Sequence, residues 1–342
     1  MRRARERKGN SLEIGVERLT VRTKRPFAIA RSSSETFKRV VLTLEEGGFV
    51  GRGEAAPTSY YGQDATDTAD ALGRIRVRDP WDIEGTLDEN GSLPPTALAA
   101  LDSALHDLAA KRLGVPVYRL LGLARPEPAS AYTLAIADPE TILREAKELA
   151  SFPVLKIKVG SEEDLEKVRA VSETSDADLW VDANEAFSPD EAIEVARELK
   201  AAGVRLIEQP VPAAAAPEAL RRVTETVSPL PVIADESAVV ARDVPALAGS
   251  ASGVNVKLAK CGGIRGALRM IHTARAHGML VMLGCMVETS LGIAAAAQVS
   301  GLVDFVDLDG ALLLACDPFE GLGYEDGRIL VPEKPGLGVK PR

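Results

Sequence analysis

The chain has 342 residues, with 41 basic against 50 acidic side chains and a net charge of −9. That length favours two domains, and 46% hydrophobic with 27% charged residues is an ordinary globular composition. The acidic balance argues against nucleic acid or an anionic membrane surface as a partner, and no uncharged apolar stretch is long enough to span a membrane.

The chain opens on a basic run, Met1-Arg-Arg-Ala-Arg-Glu-Arg-Lys, with no apolar segment behind it. Residues 1–10 therefore read as a solvated, disordered tail and not as a secretory signal. Three strands follow, Leu12–Val21, Val40–Leu44 and Phe49–Glu54, the last two joined by the hairpin signal Glu45-Glu-Gly-Gly. The polar, Ser-rich stretch 23–36 is expected to be a mobile loop, and a second loop at 57–64 carries Tyr60 and Tyr61. Helical periodicity runs from Thr96 to Leu113, with Ala100, Leu101, Ala104, Leu105 and Leu108 on one stripe, and Gly114 and Pro116 end it. This α+β domain is expected to close near residue 125.

From Ala129 the pattern alternates. Strands are predicted at 131–136, 154–159, 179–181, 205–207, 232–234, 253–258, 280–283 and 304–307, with helices between them. Eight strands with helical crossovers predict a parallel (β/α) barrel over 126–317. The Gly- and Pro-rich segment 318–342 is expected to leave the barrel and pack back on the first domain. Three cysteines, Cys261, Cys285 and Cys316, are odd in number and unpatterned, which predicts a reducing, cytoplasmic location.

The chemistry falls at strand ends. Asp182, Glu208 and Asp235 recur one βα unit apart, each at the end of a short apolar run. Three carboxylates at the C-terminal ends of successive strands converge on one point at the barrel mouth. Hard oxygen donors without His or Cys describe a Mg²⁺ or Mn²⁺ site better than a zinc site. Lys156-Ile-Lys158 on the second strand puts two ammonium groups on one face. Their repulsion and desolvation are expected to lower a lysine pKa toward that of a general base. Lys257 ends the sixth strand, across the ring from Lys158, while Lys260 lies beyond the strand and reads as structural or solvated. A substrate between Lys158 and Lys257 could lose a proton from one face and regain it on the other. The metal would stabilise the enolate, with Lys156 adding positive charge. Asp307-Leu-Asp309 on the eighth strand reads as a receptor for a substrate cation such as an α-ammonium group. A structural pair capping the barrel is the alternative.

These motifs resemble the enolase superfamily, in its muconate-lactonizing subgroup. The matches are Lys156-Ile-Lys158, Asp182-Ala-Asn184, Glu208-Gln-Pro210, Asp235-Glu-Ser237 and Lys257 before Cys261-Gly-Gly263. In the first domain Gly51-Arg-Gly-Glu-Ala-Ala-Pro57 and the Ala100–Lys111 helix before Leu120-Leu-Gly122 also match. The resemblance implies a modified TIM barrel, (β/α)7β, under an α+β capping domain whose loops around Lys24–Ser34 and Ser59–Gln63 close over it. It implies Asp182, Glu208 and Asp235 as Mg²⁺ ligands and Lys158 and Lys257 as the acid/base pair. His272 and His277 fall on a helix, unlike the His-Asp pair of the mandelate racemase subgroup.

Within the subgroup, Asp307-Leu-Asp309 and Gly284-Cys-Met-Val-Glu288-Thr-Ser290 are similar to the dipeptide epimerases. That implies an isomerase inverting the α-carbon of a dipeptide's C-terminal residue by 1,1-proton transfer. Thr133, Cys285 and Met286 would touch the substrate, and Asn184, Glu236 and Glu288 would support the site from behind. Lys24, Arg25 and Arg31 in the first loop would favour an acidic side chain, as in Ala-Glu epimerases. The resemblance also implies a homo-oligomer. An o-succinylbenzoate synthase or an N-succinylamino acid racemase is the rival on the same scaffold.

Overall fold

The computed structural model describes residues 11–342, so the tail expected at 1–10 lies outside the described residues. Three antiparallel strands come first: β1 (Glu13–Ile29), β2 (Ser32–Glu46) and β3 (Phe49–Ala55), in that spatial order. The expectation of a mobile loop at 23–36 is overturned. β1 and β2 run through it as one long hairpin, with Phe27 opposite Ser34 and Ile29 opposite Ser32 after a register break beyond Arg22. Only Ala30 and Arg31 form the turn. Serine and threonine have no intrinsic objection to an edge ladder, so the polar composition marked exposure and not irregularity.

The helix Pro95–Leu113 lies across this sheet and buries Leu101, Leu105 and Leu108 against Val40, Leu42 and Leu44. Gly53 permits that approach, since a Cβ there would stand 2.0 Å from the Ala100 carbonyl oxygen.

The second body is a ring of parallel strands: β4 (Tyr132–Leu134), β5 (Val154–Lys158), β6 (Asp178–Asp182), β7 (Leu206–Glu208), β8 (Val232–Ala234), β9 (Gly253–Lys257), β10 (Leu280–Gly284) and β11 (Phe305–Asp307). The Ala131 amide donates to the Val306 carbonyl at 2.9 Å and joins the last strand to the first. Helices follow the first seven strands and none follows β11, which is the (β/α)7β pattern. Strand parity sorts the side chains. Leu155, Ile157 and Val181 face the helices in the large outer core, whereas Ala131, Trp180, Leu206, Ile233 and Met282 fill the ring. Trp180 shares a strand face with Asp182, so the apolar plug lies directly beneath the charged mouth.

Buried polar contacts seat the capping domain on that mouth. Glu54 of β3 accepts from the amides of Thr289 at 3.1 Å and Gly292 at 3.3 Å, and from the Thr289 hydroxyl. Arg39 Nε donates to the Val287 carbonyl at 2.7 Å. Asp102 accepts from the first amides of the helix Ile264–Ala276, an N-terminal cap supplied by the other domain. The segment 318–342 touches both bodies. Leu337 N donates to Asp107 at 2.8 Å on the capping helix, and Ile329 N to the Pro128 carbonyl at 2.9 Å. Among the described residues, no helix is long and apolar enough to cross a membrane.

Candidate active site

Asp182 ends β6, directly opposite Lys158 on one side and Glu208 on the other. Asp235 follows β8 by one residue, and Lys257 ends β9. The alternation of side chains along each strand leaves all of them facing inward, and all are buried. Lys158 Nζ meets Asp182 Oδ2 at 2.5 Å, and Lys257 Nζ meets Asp235 Oδ2 at 2.8 Å. Lys156 Nζ lies among three carboxylates: Glu208 at 2.6 Å, Asp307 at 2.6 Å and Asp182 at 3.1 Å.

Opposite charges this deep dominate protonation. Burial pushes the Lys156 ammonium down, but Asp307, Glu208 and Asp182 outweigh it and hold the group well above the usual lysine range. Lys257 behaves alike, with Asp235 and Glu208 overcoming burial. The expectation that mutual repulsion lowers a lysine pKa is therefore corrected at Lys156, where the carboxylates and not the second lysine set the local potential. Burial raises Asp182, yet Lys158 and Lys156 hold it below the ordinary carboxylate range, and Lys257 and Lys260 do the same for Asp235. Glu208 goes the other way, up to about 7, through burial and the neighbouring Asp182 charge.

No group of three His, Cys, Asp or Glu among the described residues is drawn together as a ready cation cage. The donor set nevertheless fits a hard dication. Asp182, Glu208 and Asp235 are three oxygen donors on consecutive strands, and Glu208 Oε2 is buried without a well-directed hydrogen bond despite its contact with Lys156. The lysines occupy the oxygens that such an ion would take.

Above these groups lies a cavity of about 530 Å³, lined by Lys156, Lys158, Asp235, Lys257, Asp307 and Asp309 from the barrel and by both capping loops. Thr133, Cys285 and Met286 line it too, and the Thr133 amide donates to Asp309 Oδ2 at 2.6 Å. Burial and the nearby Asp307 charge push Asp309 up to about 7. Asp307 does not stand free, as a simple cation receptor would; Lys156 holds Oδ2, while Oδ1 is buried and unpartnered. Asn184 and Glu236 meet at the rim, Nδ2 to Oε1 at 3.3 Å. Glu288 does not line the cavity; its Oε1 accepts from the Met286 amide at 2.8 Å and supports that wall from behind.

Lys24 is a correction. Its ammonium is exposed and donates to the Leu312 carbonyl at 2.9 Å, and the residue lines a neighbouring cavity of about 590 Å³ instead. Continuation of β1 past Arg22 turns it outward. Arg25 is held away by Glu145 and Glu148. Arg31 does reach the main cavity, paired there with Glu236 at 2.7 Å.

Lys260, read as structural or solvated, is structural, and two further supporting residues, Asn255 and Glu54, escaped sequence reasoning. Lys260 is fully buried, with Nζ on Asp235 Oδ1 at 2.5 Å, on its carbonyl at 2.7 Å, and on the Ala238 and Asn255 carbonyls at 3.0 Å each. Asn255 donates to Glu208 Oε1 at 2.7 Å, and strand parity with Lys257 was a signal that could have found it. Glu54, at the domain seam, is pushed up to about 7 by burial and by Glu288, and nothing in its local sequence shows that. His272 and His277 are exposed, far from this chemistry in role.

A barrel mouth with carboxylates on three consecutive strands between lysines on opposite strands, under an α+β cap, defines an enolase-superfamily site. The chain belongs to that superfamily: residues 13–122 match the mandelate racemase/muconate lactonizing enzyme N-terminal domain, and residues 141–342 the enolase C-terminal domain-like family. It is 39% identical to an L-Ala-D/L-Glu epimerase of Bacteroides thetaiotaomicron over 92% of this chain and 84% of that protein. It is 37% identical to a hydrophobic dipeptide epimerase of Roseobacter litoralis over 92% and 94% of the two chains. Among solved structures, a dipeptide epimerase from Enterococcus faecalis complexed with Mg and L-Leu-L-Tyr superposes with a TM-score of 0.90 at 31% identity, covering 95% of this chain and 98% of that one.

Proposed function

We infer that the protein is an isomerase, a Mg²⁺-dependent dipeptide epimerase that inverts the α-carbon of the C-terminal residue of an L,L-dipeptide. The observation that carries this reading is the pairing of two opposed lysines, Lys158 on β5 and Lys257 on β9, with the Asp307–Asp309 pair on β11. Lys158 and Lys257 address opposite faces of a carbon between them, so one removes the α-proton and the other returns one from the far side. Asp182, Glu208 and Asp235 would hold Mg²⁺, with Mn²⁺ an alternative occupant. When bound, the ion supplies Lewis-acid stabilisation of the negative charge that develops on the substrate carboxylate. Lys156 adds a fixed positive charge beside it, and Lys260, Asn255 and Gln209 orient the ligand side chains or backbone.

Asp309 and the free oxygen of Asp307 suit the peptide's ammonium group. Placed beside it, a cation would draw the Asp309 carboxyl into its charged form. The same pair disfavours the rival substrates: an N-succinyl group or a succinylbenzoate would bring a carboxylate against two acidic side chains. Proton NMR in D₂O with a panel of L,L-dipeptides and N-succinyl amino acids, with and without Mg²⁺, tests the reading. Metal-dependent loss of the α-proton signal with a second diastereomer appearing is expected from dipeptides; turnover confined to N-succinyl amino acids would refute it.

A further inference from the structure

Arg31 stands at the two-residue tip of the β1–β2 hairpin, and both terminal nitrogens of its guanidinium have acceptors. Nη2 donates to Glu236 Oε1 at 2.7 Å, Nη1 donates to the Asn184 carbonyl at 3.0 Å, and Glu185 Oε2 lies 3.5 Å away. The ring of Tyr60, from the second capping loop, stacks on it with its centroid 4.2 Å from Cζ. The Tyr60 hydroxyl donates to Glu185 Oε2 at 2.8 Å, and Glu185 Oε1 accepts from the Ala213 amide at 2.7 Å. One side chain from each capping loop thus converges on carboxylates from the loops after β6 and β8. Asn184 and Glu185 adopt φ of 42° and 69°, a left-handed conformation unfavourable for residues with a Cβ. That conformation is retained in the turn that receives both loops.

The charge balance has a consequence for the substrate. One guanidinium faces two carboxylates, which leaves no surplus positive charge at the hairpin tip for an acidic side chain. The remaining cations that line the cavity are committed or peripheral. Lys156, Lys158 and Lys257 pair with carboxylates, Arg39 lies buried against the Val287 carbonyl, and Lys38 is exposed at the rim. The rest of the capping wall is uncharged: Phe27, Ile29, Phe37 and Tyr61 alternate there with the hydroxyl side chains of serines and threonines such as Ser34 and Thr36.

We propose that Arg31 is a positioning residue which, with Tyr60, Glu185 and Glu236, clasps both capping loops onto the barrel mouth, and that the enzyme selects dipeptides whose C-terminal side chain is uncharged. The clasp ends on Glu236, the residue after Asp235, so closure of the cap and the geometry of the ligand loop are tied together. The selectivity half rests on the epimerase reading; the clasp half does not.

The test compares wild type, Arg31→Gln, Arg31→Lys and Tyr60→Phe. Steady-state epimerisation is measured on L-Ala-L-Leu and L-Ala-L-Glu, and amide hydrogen exchange over residues 26–36 and 57–62 is measured without substrate. Wild type is expected to prefer L-Ala-L-Leu. Arg31→Gln should lower kcat/KM for both peptides by the same factor, about 10- to 100-fold, the cost of a misplaced closing element. It should also speed exchange in both loops. Arg31→Lys, which keeps the charge without the forked donor, should recover only part of either effect, and Tyr60→Phe should give a weaker copy of Arg31→Gln. A wild type that prefers L-Ala-L-Glu, with Arg31→Gln losing that activity alone, would overturn the selectivity. Unchanged exchange in Arg31→Gln would overturn the clasp. Turnover of neither peptide by wild type would remove the epimerase reading while the exchange data still decide the clasp.

Discussion

Replacing Lys260 with Met tests whether the charged mouth is held together from below. The substitution keeps most of the side-chain volume and deletes one ammonium that serves four acceptors: Asp235 Oδ1, and the carbonyls of Asp235, Ala238 and Asn255. Removing one partner of a buried ion pair costs about 3–5 kcal/mol. Here the lower end applies, because Asp235 keeps Lys257 at 2.8 Å. The Asp235 carbonyl also keeps the Ala238 amide at 3.0 Å, so the further loss falls on the other two carbonyls, roughly 1 kcal/mol each. The sum is about 5 kcal/mol. Urea unfolding followed by circular dichroism in EDTA measures it free of any metal-linked stabilisation. Because Asp235 is then held by one lysine instead of two, Mg²⁺ affinity should change as well, read by titration calorimetry. A Lys260→Met protein within 1 kcal/mol of wild type would show that the network is not cohesive and that Lys260 is a spectator.

Lys257→Ala should reduce epimerisation by at least about 10³-fold, as expected for loss of a general acid/base, while solvent exchange of the α-proton from the diastereomer facing Lys158 persists in D₂O. Epimerisation at the wild-type rate would refute the two-base assignment. Asp309→Asn should raise KM for dipeptides by about 10- to 100-fold through loss of a charged hydrogen bond worth roughly 1.5–3 kcal/mol, with kcat little changed; steady-state rates decide it. Glu54 gives a pH signature. Its carboxyl is pushed from 4.5 to about 7 in the folded protein, so its ionisation penalises the fold progressively as pH rises through that window and fully above it. Glu54→Gln lacks the penalty and should gain on wild type by up to about 3 kcal/mol between pH 4.5 and 8, and parallel stability–pH curves would refute it.

Much of this molecule was legible in its sequence because two periodicities carry positional information. The βα spacing of Asp182, Glu208 and Asp235 placed them at successive strand ends, and the i, i+2 relation of Lys156 and Lys158 put both on one face. The structure gathers Lys156, Lys158, Asp182, Glu208 and Asp307 into one buried cluster and Lys257 with Asp235 into a second, the two bridged by Asn255 and Lys260. The limits of the barrel strands were legible only to within a residue or two, since Glu208 ends β7 where it was expected to follow the strand. The polar composition of 23–36 misled, because side-chain polarity reports on exposure and not on whether the backbone pairs.

Partners across the fold lay beyond any local pattern. That Lys156 meets Asp307, that Lys260 holds Asp235, and that Arg31 reaches Glu236 while Lys24 does not all depend on segments far apart in the chain. Protonation followed the same rule: adjacency predicted two lysines repelling one another, and at Lys156 the carboxylates folded around it reversed the sign. Spacing along a strand sets which way a side chain points. What it meets there is decided by the closed ring and the domain seated upon it.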